Sequence, residues 1–215
     1  MVRIWSENDP KAGLMARKRT QIVAAARQAF LDEGYAGSSV NRIADAAGVS
    51  IKTLYRHFES KDNLFSAVMQ AACQAPPGAA EDTTREDWTM QPPERGIALA
   101  GEEYLRHALS PDQLALLRVV IRDAQRFPEL GERYETEVVG SREAVFAKYL
   151  DRWAPASDWK LRDSHQAAGL FAALLNAGTL DTALQGRWCP RGGEIEAHAR
   201  LAAERLIRLL RAGLV

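Results

Sequence analysis

The chain has 215 residues, of which 47% are hydrophobic and 26% are charged, and its formal net charge is zero. This composition is that of a folded globular protein and excludes disorder as the main state. The longest strongly apolar stretches, such as Leu170 to Leu175, are too short to cross a bilayer. The segment from Met1 to Ala12 lacks the apolar region of a secretory signal. We therefore expect a cytoplasmic protein without a membrane partner.

The zero net charge hides an asymmetry along the chain. Residues 11 to 61 contain nine Lys or Arg against four Asp or Glu, a balance of +5, so the remaining residues sum to −5. A basic N-terminal segment on an acidic body is typical of a head that binds nucleic acid. The two cysteines, Cys73 and Cys189, lack the spacing of a zinc or redox site, so we expect two unpaired thiols and neither a metal nor a cofactor.

The first part of the chain is predicted to be helical. Ala, Leu, Arg and Glu dominate, and no alternating run predicts a strand, so the sequence predicts an all-α fold. The first helix is predicted from about Arg17 to Glu33, with Gly34 as its stop. Three short helices follow, each opened by a serine that can cap it; these serines are Ser39, Ser50 and Ser60.

A stretch rich in Pro, Gly, Ala and acidic residues, from Cys73 to Gly96, predicts a mobile linker. Beyond it, helical patterns separated by Pro and Gly predict a larger body. The body helices are expected at roughly 94–109, 111–126, 129–153, 159–185 and 194–212.

The segment from Ser39 to Phe58 has the residue types of two short helices that cross at a steep angle. Ala44 is small enough for the contact, and Gly48 can adopt the positive φ of the turn. The inner faces are apolar, whereas the second helix carries polar and basic side chains on its other side. Many helical hairpins share these features and expose a polar face only to water, so this pattern alone leaves DNA binding and a solvated face equally open.

The stretch from Thr20 to Met69 resembles the DNA-binding domain of the TetR/AcrR family. The landmarks are Gly34-Tyr35 at the end of the first helix, Leu54-Tyr55-Arg56-His57-Phe58, and Lys61-Asp62-Asn63-Leu64. Asn63 departs from the pattern, since an acidic residue is common after this lysine, and it weakens the capping box at Ser60. The resemblance implies a helix-turn-helix that binds double-stranded operator DNA as a dimer.

In such modules the second helix enters the major groove with its N-terminal residues nearest the bases. Lys52 is therefore expected to read guanine and Ile51 to meet a thymine methyl group. The run Arg17-Lys18-Arg19 is either an arm that reaches the DNA or an ordinary solvated helix start. Base contacts are expected from Ser50, Ile51, Lys52 and Thr53, and phosphate contacts from Tyr55, Arg56, His57, Lys61 and Arg42.

The segment from Arg118 to Leu130 resembles the regulatory domain of AefR-like members of the family. This resemblance implies a helical body that binds a small-molecule effector and dimerises through its last two helices. Large and small apolar residues alternate in both helices, which suits close packing between subunits and intramolecular core packing equally well. The expected organisation is a tail (1–16), a three-helix helix-turn-helix domain (17–61), and a helical ligand-binding and dimerisation domain (62–215).

Aromatic residues and isolated polar groups on the body helices are candidates for lining an effector pocket. For each of them, ordinary core or surface packing is the main alternative to a role in ligand binding. Trp88 and Trp188 lie near predicted loops, where they would cover a pocket entrance. The candidate pocket residues are Tyr104, His107, Arg122, Phe127, Trp153, Phe171 and Asn176.

Three functions compete. The first is a ligand-responsive repressor that an effector releases from a palindromic operator, with the helix from Ser60 to Ala72 as the lever. The second is a helical enzyme, which is disfavoured because the four histidines are scattered and no catalytic motif is present. The third is an interaction module with a vestigial head, which the basic and polar residues of the second helix disfavour. We therefore expect a regulator rather than an enzyme.

Overall fold

A computed structural model describes residues 10–73, 87–187 and 193–215, and all regular structure in these ranges is helical. The all-α prediction is thus confirmed. None of the described helices combines the length and apolar character that crossing a bilayer requires. The helices are α1 (Pro10–Gly37), α2 (Val40–Ala46), α3 (Ile51–His57), α4 (Lys61–Cys73), α5 (Pro93–Ala108), α6 (Pro111–Asp123), α7 (Pro128–Arg133), α8 (Gly140–Trp153), α9 (Ser164–Asn176), α10 (Leu180–Leu184) and α11 (Glu194–Ala212).

Several boundaries differ from those predicted. Helix α1 begins at Pro10 rather than Arg17, and a π-helical stretch, Tyr134–Val139, joins α7 to α8. The helix predicted over 159–185 instead begins at Ser164, where Asp163 caps it, and is interrupted between α9 and α10. Trp188 and most of the predicted linker lie outside the described residues. The last part of the linker forms a short 3₁₀ turn, Trp88–Met90, and the start of α5.

The chain divides into two compact units. Unit 1 consists of residues 1–74 and 115–134, and unit 2 of residues 75–114 and 135–215. The segment 115–134, which the sequence assigns to the body, therefore packs with the N-terminal helices. Compact units are not functional domains, so the domain boundaries at residues 16 and 61 stay a prediction.

Unit 1 is built around the bend at the end of α1. Gly34 has φ 77° and ψ 173°, a conformation that interrupts the helix and is essentially restricted to glycine. The following residue, Tyr35, is buried, and its ring makes an edge contact with the rings of Phe65 (5.3 Å) and Phe127 (5.2 Å). The aromatic cluster therefore joins α1 and α4 to the segment that leads into α7.

Side chains from other elements satisfy the backbone groups exposed by this bend. The Asp123 carboxylate accepts hydrogen bonds from the amides of Tyr35 (2.7 Å) and Ala36 (3.3 Å). The Lys61 ammonium donates to the carbonyl of Tyr35 and to that of Ser38 (2.7 Å). Buried backbone groups without partners are costly, so these contacts make the bend a stable part of unit 1.

Unit 2 is a bundle in which α5, α8, α9 and α11 share one core. Phe146 of α8 stacks on Phe171 of α9 at 4.8 Å, and Gly101 of α5 allows close approach to Ala199 of α11. The parts of α9 and α11 that bear Phe171, Leu175, Leu206 and Leu210 are thus intramolecular core.

Replacing Gly34 by Ala is expected to lower the free energy of unfolding by about 1–3 kcal/mol, because a side chain forces this residue into a glycine-only conformation. The added Cβ would also lie 1.6 Å from Arg122 Nη2. Chemical denaturation followed by circular dichroism measures the loss. Gly131→Ala in α7 of the same unit is the matched control, since its Cβ meets nothing within 4 Å; equal losses in both variants would contradict the interpretation.

Asp123→Asn should destabilise unit 1 at neutral pH by about 1.5–3 kcal/mol, since charge-assisted hydrogen bonds are removed. Burial raises the pKa of Asp123, but hydrogen bonds from Arg122 and from the Tyr35 and Ala36 amides outweigh burial and hold the pKa below its usual value. A carboxylate with a lowered folded-state pKa stabilises above its unfolded pKa of about 3.9 and loses this effect as the pH falls through the folded value. The difference in unfolding free energy between wild type and variant should therefore be constant near neutrality and shrink below about pH 4. A difference that grows on acidification would refute the stabilising role of the ionised carboxylate.

Candidate nucleic-acid interface

The helix-turn-helix consists of α2, α3 and the turn between them. Gly48 in the turn has φ 65°, a left-handed conformation that glycine adopts at little cost. The hydroxyl of Ser50 accepts from the Thr53 amide at 3.1 Å and caps α3. The inner face holds Ile43 and Leu54, each 1% exposed. The crossing of the two helices is thus built as the sequence predicts.

The outer face of α3 exposes apolar and charged side chains together. Ile51 is 38% exposed and Tyr55 is 50% exposed, so both large side chains are open to solvent on this short helix. Lys52 is exposed and has neither an ion-pair nor a hydrogen-bond partner within the residues described. Thr53 is half-buried, and its hydroxyl lies 2.9 Å from that of Ser50. The first turn of α3 therefore offers mixed chemistry to an external partner.

Basic residues around this face have different surroundings. Arg42 on α2 pairs with Glu33 and donates to the Gly37 carbonyl at 3.1 Å, while most of its side chain remains exposed. Arg56 is exposed, and its Nη2 lies 2.8 Å from the Met15 sulfur.

His57 and Lys61 are less available than their positions in the sequence suggest. The His57 Nε2 atom is buried without a hydrogen-bond partner among the described residues. Burial and then the charges of Arg56, Arg19 and Lys18 lower the pKa of His57. Lys61 uses two of its three donors on carbonyl groups at the end of α1, and burial lowers its pKa, against the attraction of nearby carboxylates.

The candidate pocket residues are not all brought together. Tyr104, His107, Trp153, Phe171 and Asn176 belong to unit 2, whereas Arg122 and Phe127 belong to unit 1. There, Arg122 lies against Asp123, and Phe127 packs on Tyr35 as described above.

Three of the five candidates in unit 2 carry a buried polar atom with no partner among the described residues. These atoms are His107 Nε2, Asn176 Oδ1 and Trp153 Nε1. The Asn176 amide donates to the Tyr104 hydroxyl at 2.8 Å, while burial and then the nearby Arg142 lower the pKa of His107 to about 4. Trp153 also lines a surface cavity of about 380 Å³ with Trp159, Glu94 and Asp158 among its walls.

Sequence reasoning missed two features of unit 1. The sequence predicts Asp123 only as part of a body helix, whereas its carboxylate accepts hydrogen bonds from the amides at the bend of α1. No residue near Asp123 along the chain indicates that these amides are its partners. The contact between the start of α1 and α3 was also missed, because the predicted helix began only at Arg17. Among the described residues, no group of His, Cys, Asp and Glu is arranged to hold a metal ion.

Comparison with known proteins supports both resemblances. Residues 22–68 match the family model of bacterial regulatory proteins, tetR family, and residues 96–212 match that of the AefR-like transcriptional repressor, C-terminal domain. A putative TetR-family regulator from Mesorhizobium loti has a solved structure that superimposes with a TM-score of 0.72 and 26% identity, over 91% of this chain and 97% of that one.

Two curated relatives extend the comparison. The HTH-type transcriptional activator FasR of Mycolicibacterium smegmatis is 47% identical over 53 residues, which are 25% of this chain and 24% of the relative. The HTH-type transcriptional repressor AcnR of Corynebacterium diphtheriae is 27% identical over 120 residues, 56% of this chain and 57% of the relative. The match spans only a quarter to just over half of these relatives' length.

The family and these relatives are transcriptional regulators, which confirms the expectation of a regulator rather than an enzyme. The match to the C-terminal family model covers more than half of the 215 residues. Together with the helix-turn-helix and its matching model, it shows that the chain belongs to the tetR family of bacterial regulatory proteins, with an AefR-like C-terminal domain.

Proposed function

We propose that this protein is a ligand-responsive repressor of transcription that binds a palindromic operator as a homodimer and is released by a small-molecule effector. The observation that carries the proposal is the outer face of α3, where Ile51, Lys52 and Tyr55 are exposed together. Lys52 has no carboxylate partner among the described residues and can donate to acceptors in a major groove, while Ile51 suits thymine methyl groups and the Tyr55 hydroxyl suits phosphates. Because bacterial DNA lies in the cytoplasm, we assign the protein to the cytoplasm and propose no membrane partner.

The residues of α3 divide by their position along the helix. The first turn, with Ser50 to Thr53, is assigned to the base edges, because the N-terminal end of a recognition helix lies deepest in the groove. Tyr55, Arg56 and Arg42 are assigned to phosphates. His57 is also assigned to a phosphate, which it would contact as a neutral ring. Lys61, at the start of α4, is assigned to a phosphate through the one donor that the carbonyl groups leave free.

The match of the C-terminal domain to a repressor family favours repression over activation. The C-terminal family model is that of AefR-like transcriptional repressors, and the AcnR relative, which matches over 120 residues, is a repressor, whereas FasR, which matches over 53 residues, is an activator.

The dimer is assigned to the outward faces of α9 and α11. On α9, Ala173 is exposed, as is Ala177 at the C-cap, and Leu170 and Leu174 are partly exposed where they pack at the edge of the core. On α11, Leu201 is 45% exposed. Small residues between leucines allow helices of two subunits to approach closely.

The effector is assigned to the interior of unit 2. The unpaired polar atoms of His107, Asn176 and Trp153 each carry a desolvation cost, and a ligand with matching donors and acceptors would remove it. Tyr104, whose hydroxyl accepts a hydrogen bond from the Asn176 amide, supplies aromatic surface beside Asn176, and Phe171 supplies aromatic surface in the core. Because Arg122 and Phe127 pack at the bend of α1 in unit 1, the effector assignment rests on the other five candidates.

Lys52→Ala and Tyr55→Ala are expected to weaken operator binding by about 1–3 kcal/mol each, or roughly 5- to 150-fold, without change in helical content. The operator is first selected from random duplex DNA with the purified protein, and affinities are then measured by fluorescence anisotropy. Lys148→Ala in unit 2 removes the same charge at another exposed position and should bind as wild type does. Wild-type affinity in both α3 variants would remove α3 as the reading helix.

Ala173→Arg is expected to convert the dimer to a monomer and to reduce operator affinity, because it places a long charged side chain between closely packed helices. Light scattering coupled to gel filtration measures the mass. Ala156→Arg is the matched control, since Ala156 is an exposed alanine of the same unit outside α9 and α11. A dimer that survives Ala173→Arg would place the interface elsewhere.

A further inference from the structure

The first turns of α1 precede the part of the chain that matches the DNA-binding family model. The helix begins at Pro10, whereas the match begins at residue 22. The helix-turn-helix itself therefore does not account for these turns. Their sequence contains the basic run Arg17-Lys18-Arg19, whose role the sequence leaves open.

These turns lie against the C-terminal end of α3. Arg56 Nη2 of α3 lies 2.8 Å from the sulfur of Met15, and the guanidinium of Arg19 lies 4.6 Å from the centre of the Phe58 ring. Met15 and Arg19 are four residues apart and so share one face of the helix. This arrangement gives Arg19 a preferred orientation beside α3.

The surface formed in this way is positively charged and unpaired. Lys18 is partly exposed, Arg19 and Arg56 are exposed, and none of the three has a carboxylate partner in the described part of the chain. The acid that follows Phe58, Glu59, pairs with none of them. The lowered pKa of His57, which reflects burial and then the charges of Arg56, Arg19 and Lys18, agrees with their closeness. Like charges held together repel, so this surface gains from a polyanionic partner.

We propose that Lys18 and Arg19 bind phosphates of the DNA flanking the segment read by α3, so that each protomer covers more duplex than its helix-turn-helix. This inference rests on the proposed function. When the first turn of α3 reaches the bases, its C-terminal end lies toward the backbone, and the side chains beside that end face phosphates rather than bases. Arg19, stacked on Phe58, supplies a planar donor set, and Lys18 supplies a point charge.

The test measures affinity for a random-sequence duplex of about three helical turns, between about 50 and 200 mM salt. Lys18→Gln/Arg19→Gln removes both charges but keeps most of each side-chain stem, so the packing against Phe58 is largely retained. The slope of log affinity against log salt should fall by about 0.9 for each phosphate that the variant no longer neutralises, with affinity reduced on the order of tenfold per phosphate at about 0.1 M salt. Lys148→Gln/Arg162→Gln in unit 2 makes the same change in net charge at exposed positions and should leave the slope unchanged.

The outcomes separate the inference from the function on which it rests. If the wild type binds DNA and Lys18→Gln/Arg19→Gln keeps its slope and affinity, the first turns of α1 are solvated and the inference falls. If the wild type binds no duplex, the proposed function itself falls. Lys18→Arg/Arg19→Lys keeps both charges and should retain the wild-type slope; a reduced slope in this variant as well would assign the effect to packing and overturn the inference.

Discussion

The bend at Gly34 and the side chains that satisfy it hold unit 1 together. At the end of α1 the chain leaves helical geometry within a buried environment, so its amides and carbonyls need partners. Asp123 accepts the amides, and Lys61 donates to the carbonyls, while the ring of Tyr35 packs among three phenylalanines. One carboxylate and one ammonium thereby fix the direction in which α1 ends and the helix-turn-helix begins. They also bind α4 and the end of α6 to that point.

The outer face of α3, which is proposed to read DNA, is not needed for the packing of the helix-turn-helix. The contacts that define the crossing of α2 and α3 come from Ile43 and Leu54 on the inside and from the Ser50 cap at the end. Lys52 and Tyr55 therefore contribute little to folding within unit 1 and are available to a partner. A chain with zero net charge can still present a basic surface, because the acidic residues lie elsewhere in the sequence.

Unit 2 combines a closely packed core with polar atoms that lack partners among the described residues. Phe146 and Phe171 stack, and Leu175 and Ala199 pack against Gly101, yet His107 and Asn176 each bury an atom without a partner in the described part of the chain. Each such atom lowers the stability of unit 2 by its uncompensated desolvation cost. A ligand can shift a conformational equilibrium only by binding one state better than another. A buried polar atom without a partner can supply such a difference in affinity, because a ligand would bind better to the state in which it can reach that atom. The segment 115–134, which packs in unit 1, continues the chain directly into unit 2.

The sequence by itself determined the helical class, the caps at Ser50 and Ser60, the inner residues of the helix-turn-helix and the family, because each depends on patterns within a few turns of chain. The cap predicted at Ser39 is wrong, since its side chain makes no capping hydrogen bond. The tertiary structure decided which other residues meet them. It placed the Asp123 carboxylate on an amide 88 positions away, placed Arg122 and Phe127 at the bend of α1, and engaged Lys61 with carbonyl groups. It also brought Met15 beside Arg56, 41 positions apart. Local periodicity encodes which face of a helix is buried, but the partner of a buried polar group is chosen by packing between distant segments, and no local pattern records that choice.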